Sequence, residues 1–242
     1  LSEVSSLNGT LDYRFREYDD GDRRDDSDLR WNGSYRHRFE DNNLTVGVRG
    51  RVSYRGEGDY RNDYGLFSTY RIAVDEDDQV TLGAEFRRRS YPEGRLRSRS
   101  RNIAEFDVNW TRSLMDGKAS FSLDAFGGWE NATNDRPDGD SNFYGLSPTY
   151  NFTINEQWGG YVFAWWQNDR YNSERYSSEP PDETVPVATR NDDLYELGGG
   201  LTWEFGDGWS LNPEILYIED NSNILSVNYS STELWLTLRN DF

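Results

Sequence analysis

The sequence predicts a transmembrane antiparallel up-and-down β-barrel of about twelve strands, and three observations predict it. Apolar and charged residues alternate along most of the chain. Polar connectors divide it into segments of about 10 to 14 residues. Aromatic residues reach 15% although hydrophobic residues make up only 34%. Alternation with a period of two marks a strand with two different faces, and roughly 9–11 residues cross a bilayer at a tilt. No segment shows a convincing 3.6-residue period, and none approaches the roughly 20 apolar residues of a membrane-spanning helix.

Composition narrows the function classes. A net charge of -18 and a mean hydropathy of -0.96 would in a soluble chain point first to disorder, but 9 Trp, 16 Tyr and 12 Phe oppose that. A barrel reconciles the two, because lipid-facing residues occupy every second strand position, the lumen is polar, and aromatics gather at the two interfaces. A soluble β-sandwich or ligand-binding barrel is the alternative, but its outer surface would carry long rows of Arg and Glu, and its strands would be unusually long. Cysteine is absent, which excludes disulfides and thiolate metal sites. The acidity argues against nucleic acid, which calls for a basic patch. Residues 1–242 read as one barrel domain. The absence of a leader before Leu1 reads as a mature or trimmed chain, with an upstream domain left open.

The strands are expected at 7–17, 29–39, 44–54, 64–74, 79–91, 101–112, 118–129, 142–154, 158–170, 193–205, 209–218 and 229–242. Their outward parity runs in order through Leu11, Tyr13 and Phe15; Trp31, Tyr35, His37 and Phe39; Leu44, Val46 and Val48; Leu66, Tyr70 and Ile72; Val80, Leu82 and Phe86; and Phe106, Val108 and Trp110. It continues through Phe121 and Leu123; Tyr150, Phe152 and Ile154; Tyr161, Phe163 and Trp165; Leu197, Leu201, Trp203 and Phe205; Leu211, Ile215 and Tyr217; and Leu234, Leu236, Leu238 and Phe242. Short turns rich in Asp, Asn and Gly are expected at 40–43, 75–78, 113–117, 155–157 and 206–208. Longer connectors at 18–28, 55–63, 92–100, 130–141, 171–192 and 219–228 alternate with them without exception. Short periplasmic turns and long extracellular loops follow this pattern, and an even strand count then puts both termini on the periplasmic side.

The inward parity carries the candidate site. Arg14, Arg16, Arg30, Arg36, Arg38, Arg49, Arg51, Arg71, Arg87 and Arg89 come from the first five strands, and Arg239 comes from the last, expected to close beside the first. Glu105, Asp107, Asp124, Glu196, Glu204 and Glu214 form an opposing acidic wall, while Asp12, Glu85 and Glu233 lie nearer the basic one. Facing walls of opposite sign set a transverse field across a pore, and rows of guanidinium groups grip carboxylates in bidentate fashion. The competing reading is a narrow lumen plugged by Arg–Glu pairs. Arg14, Arg38, Arg51 and Arg89 discriminate: contact with carboxylates favours the plug, open water the pore.

No catalytic residue, metal site or cofactor is expected. The single His37 lies on the outward parity between Arg36 and Arg38, with no serine or carboxylate motif around it, whereas a histidine base needs an orienting partner beside its nucleophile. The acidic loops lack a calcium-binding pattern and read as solvated surfaces facing lipopolysaccharide. The 171–192 connector has the length of a lid or a docking surface.

The last segment, Leu234 to Phe242, ends on an aromatic strand and resembles the C-terminus of bacterial outer-membrane β-barrels. That resemblance implies outer-membrane lipid and lipopolysaccharide as surroundings, and recognition of Phe242 by the barrel-assembly machinery. The run Trp209-Ser210-Leu211-Asn212-Pro213 through Tyr217, with Asn221-Ser222-Asn223 and Leu236 to Phe242, resembles barrels joined to tetratricopeptide repeats, of the surface lipoprotein assembly modifier type. It implies export with a periplasmic or surface protein partner. Leu11-Asp12-Tyr13-Arg14-Phe15-Arg16-Glu17, twelve strands and inward arginine rows are similar to the oligogalacturonate-specific porin family, which implies passage of acidic oligosaccharides. The expectation is therefore a channel for anionic solute or polymer; the alternative is a non-conducting barrel serving as anchor or assembly partner.

Overall fold

The alternation resolves into strands throughout. A computed structural model describes residues 4–17, 25–56, 58–92, 99–133, 139–172, 189–206, 208–223 and 228–240. Its twelve strands are β1 (Ser5–Arg16), β2 (Asp26–Phe39), β3 (Asn42–Arg55), β4 (Gly58–Ala73), β5 (Asp78–Ser90), β6 (Arg101–Leu114), β7 (Ala119–Ala132), β8 (Ser141–Asn155), β9 (Trp158–Tyr171), β10 (Asn191–Glu204), β11 (Trp209–Ser222) and β12 (Tyr229–Asn240). Every strand overlaps its expected segment. Each pairs antiparallel with its sequence neighbours in one sheet ordered β1 to β12, the up-and-down topology of a barrel. Among the described residues β1 and β12 are the two edges, with no ladder between them. Phe242 and most of the 171–192 connector lie outside the described residues.

The apolar parity is the exposed one. Leu11 is 74% exposed, Leu197 62% and Leu234 74%, with Leu66, Phe86, Phe106, Val162 and Ile215 also open. An apolar face of this extent is untenable in water, where exposed patches seldom exceed a few hundred Å², and is what a bilayer covers. Two aromatic girdles bound it. At the short-turn end Trp158 stacks on Trp203 at 5.4 Å, Trp203 meets Phe205 at 4.8 Å, and Trp110 meets Phe121 at 5.9 Å. At the other end Trp31 meets Tyr64, Phe106 meets Trp129, and Tyr144 meets Trp166. Tyr and Trp suit these two levels because each has an apolar body and a polar tip; Trp110 Nε1, for example, donates to Asp78 at 2.9 Å.

Two expectations are corrected here. The 55–63 segment is not a long connector, because β3 ends at Arg55 and β4 begins at Gly58. Gly56 makes the turn at φ 61°, where a side chain would be strained, and the ladder shifts register between Ser53 and Tyr54. The run shows no apolar alternation, but its charges pair: Arg55 bonds Asp26 at 3.1 Å, its guanidinium lies 4.2 Å over the Tyr60 ring, and Arg61 pairs with Asp63. Short and long connectors therefore do not alternate strictly. The second correction is β9. Its Tyr161, Phe163 and Trp165 face the lumen side, since the register sets them opposite Gly200, Gly198 and Glu196.

Candidate functional site

Register, strand by strand, shows which side chains share the lumen face. Asp12 aligns with Arg30, Arg30 with Arg51, Arg51 with Asp63, and Asp63 with Arg89. Parallel rows run Asn32–Arg49–Gly65–Arg87 and Arg38–Asn43–Arg71. Arg14 and Arg16 pair across to Asp28 and Asp26, and Arg36 to Thr45. The arginines of β1–β5 thus stand on one wall. Arg239 shares its face on β12, aligned with Ser210, at the opposite edge of the sheet.

Carboxylates organise this wall, and parity reading passed over two of them, Asp28 and Asp63. Asp28 accepts Arg51 Nε at 2.6 Å, Arg30 Nε at 2.7 Å and the Ser53 hydroxyl at 2.8 Å. Asp63, only 6% exposed, accepts Arg61 Nε at 2.9 Å and Arg89 Nε at 3.3 Å. Glu85 accepts Arg49 Nε at 2.6 Å and lies 4.0 Å from an Arg87 nitrogen. Each of these three nodes sets two guanidinium groups against one carboxylate, so each keeps an excess of positive charge. The guanidinium groups surround a cavity of about 490 Å³ lined by Asp12, Arg14, Arg30, Arg49, Arg51 and Arg87 among others.

Of the four discriminating arginines three touch a carboxylate, the outcome set for the plug: Arg14 bonds Asp12 at 3.0 Å, Arg51 bonds Asp28, and Arg89 bonds Asp63. Their partners sit on the same or a neighbouring strand, not on the opposing wall. Among the described residues no carboxylate pairs with Arg36, Arg38 or Arg71; Arg36 donates to Thr45 at 3.4 Å, and all three are exposed.

Glu105, Asp107, Asp124, Glu196, Glu204 and Glu214 also share the lumen face, through register with Gly128, Phe126, Asn109, Ile218, Ser210 and Gly200. Among the described residues none of the six forms an ion pair. Arg101 pairs with Glu130 on the neighbouring strand β7. Between these acids lies an apolar patch that composition concealed: Ile103, Phe126 and Phe143 are buried, with Trp165 packed on them.

His37 has a serine beside it after all. Ser5 Oγ lies 2.9 Å from Nδ1, and the Tyr35 hydroxyl lies 3.3 Å away. Strand pairing brings Ser5 there from a distant part of the sequence. Phe39 meets the ring edge-on at 4.4 Å, and among the described residues no carboxylate orients it. On the outward face, the histidine belongs to the aromatic girdle.

No protein-family model and no curated protein sequence matches the chain. Among solved structures, the copper transporter OprC matches with a TM-score of 0.60 at 10% identity, over 100% of this chain and 50% of that one. The siderophore receptor PirA from Pseudomonas aeruginosa matches with a TM-score of 0.54 at 13% identity, over 100% of this chain and 43% of that one. The chain thus spans half or less of the length of each. The KdgM porin in complex with disordered oligogalacturonate aligns over 99% of this chain and 98% of its own, at 11% identity and a TM-score of 0.41, too low to add to the fold assignment. Nothing in these comparisons supports the resemblance to tetratricopeptide-linked barrels. Together with the apolar belt and the strand order, they give the chain the fold of integral outer-membrane β-barrel proteins.

Proposed function

We propose that the chain is an outer-membrane channel whose arginine wall engages anionic solute, with acidic oligosaccharide as the substrate class. One observation carries this reading: the ion-pair nodes at Asp28, Asp63 and Glu85 each hold two arginines to one carboxylate. A wall built only to fill a lumen would balance its charges, because a half-satisfied polar network is worse than an apolar one. An excess of guanidinium groups, held in place by the shared acid, leaves N–H donors for an incoming carboxylate. The acidic wall supplies the opposite pole, so a dipolar solute would be oriented as it passes. Transport by position and charge needs no reacting group, and the reading assigns none.

The test is single-channel recording of the purified chain in a planar bilayer. The expected result is an open current with a reversal potential on the anion side in a salt gradient, blocked by acidic oligosaccharides. R51E and R89E should each weaken the block by about tenfold, the equivalent of ~1.4 kcal/mol for one charge-assisted contact. A silent bilayer would overturn the channel and favour a non-conducting barrel that anchors or assembles a surface complex.

A further inference from the structure

β9 carries aromatic residues on both faces, and only the outer set meets lipid. Its lumen set, Tyr161, Phe163 and Trp165, follows the alternate positions of one strand, about 6.6–6.8 Å apart along the backbone. The rings lie against the wall instead of projecting from it. A Cβ added to Gly198 would fall 2.5 Å from Phe163 Cε1, and one on Gly200 would fall 2.9 Å from Tyr161 Cε1. These glycines are the seats that let the rings lie down. Tyr161 and Phe163 are nearly parallel, with centroids 6.2 Å apart and planes 21° apart. Trp165 is held by Phe126 beneath it at 4.3 Å and 29°. Phe126 and Phe143 are buried, whereas the three β9 residues are only partly buried. Carboxylates border the strip: Glu196 is opposite Trp165, Asp107 is opposite Phe126, and Glu214 is beside Gly200 next to Tyr161.

We propose that this strip is a stacking platform for the pyranose rings of an oligosaccharide. A pyranose has an apolar C–H face and a rim of hydroxyl groups. The face matches a flat π-surface, whose negative quadrupole attracts the polarised C–H bonds. The rim hydroxyls are donors, and Glu196, Asp107 and Glu214, without arginine partners among the described residues, are acceptors at the border. The inference rests on reading the lumen as a solute path. It differs from the arginine wall in location and in ligand chemistry, since stacking needs no charge on the sugar.

The test is calorimetric titration of the full chain in detergent micelles with a neutral glucan hexasaccharide, and separately with spermidine. Binding of the neutral sugar is expected, three- to tenfold weaker (about 0.5–1.5 kcal/mol per aromatic contact) in F163L, which keeps an apolar side chain but removes the π-face. G198A, which retains all three aromatic side chains but lifts Phe163 from its seat, should weaken it as well. Folding of each variant is checked by the heat-dependent mobility shift of barrels on gels. Heat with spermidine alone would overturn the proposal in favour of a cation site, and no heat with either ligand would overturn it outright. Unaltered sugar binding in correctly folded F163L and G198A would do the same. Block of conductance by acidic sugars is read separately, so the channel and the platform can fail independently.

Discussion

Asp63 is the residue on which the basic wall turns. It is nearly inaccessible, yet two arginines converge on it from β4 and β5. Exposed ion pairs contribute about 0–1 kcal/mol, but this node is not exposed. Buried charge is different, because removing one partner leaves the other uncompensated. D63N keeps the shape and one acceptor oxygen but removes the charge that offsets Arg61 and Arg89. The expected outcome is a loss of about 1–3 kcal/mol in urea unfolding, together with a higher anion-to-cation permeability ratio. A fall in that ratio would contradict an arginine wall that sets selectivity. The arginines were legible from parity because β1 to β5 alternate cleanly. Asp63 was not, lying in a run whose polar residues all read as loop. The lumen side of β9 was hidden for the opposite reason: Tyr161, Phe163 and Trp165 alternate with Val162, Ala164 and Trp166, so hydrophobicity does not choose a face and only the register with β10 does.

Strands were easier to read than the links between them. Most announced themselves through a period of two, and the short turns through Asp, Asn and Gly. The turn before β5 shows why these residues serve. Asp75 Oδ1 accepts the backbone N–H of Asp77 at 2.9 Å and of Asp78 at 2.7 Å, a side-chain mimic of a backbone turn. Those two bonds favour the ionised form and hold its pKa below the ordinary 3.8, with a smaller contribution from Arg112. A folded-state pKa that is depressed contributes stability present above the unfolded value and lost as pH falls through the folded one. The turn should therefore weaken only below about pH 4. Unfolding midpoints of wild type and D75A at pH 6 and pH 3 check this: the gap between them should narrow at the lower pH, and a constant gap would refute the linkage. The β3–β4 link escaped the pattern because Gly56 makes a two-residue turn inside a charged run, and its cue is a single glycine among several.

At the scale of the whole molecule, the fold poses one geometric demand. Hydrocarbon offers no partner to an unpaired N–H or C=O, and each one left open costs several kcal/mol. β1 and β12 each present 12 residues of edge, so both edges must be satisfied once the apolar belt is in the bilayer. A barrel satisfies them by joining the first strand to the last, which, antiparallel, would set the Arg239 end of β12 against the Ser5 end of β1, one strand from Arg36 and Arg38. The prediction is that β1 and β12 of one chain meet in the membrane. The chain contains no cysteine, so a pair introduced at Leu11 and Leu236, both on the lipid face, can be joined by a flexible bis-maleimide without background. Treatment in lipid vesicles should give a monomer of altered gel mobility. A cross-linked dimer would mean that the edges pair between copies, and the lumen, with its arginine wall and its aromatic strip, would then be shared by more than one chain.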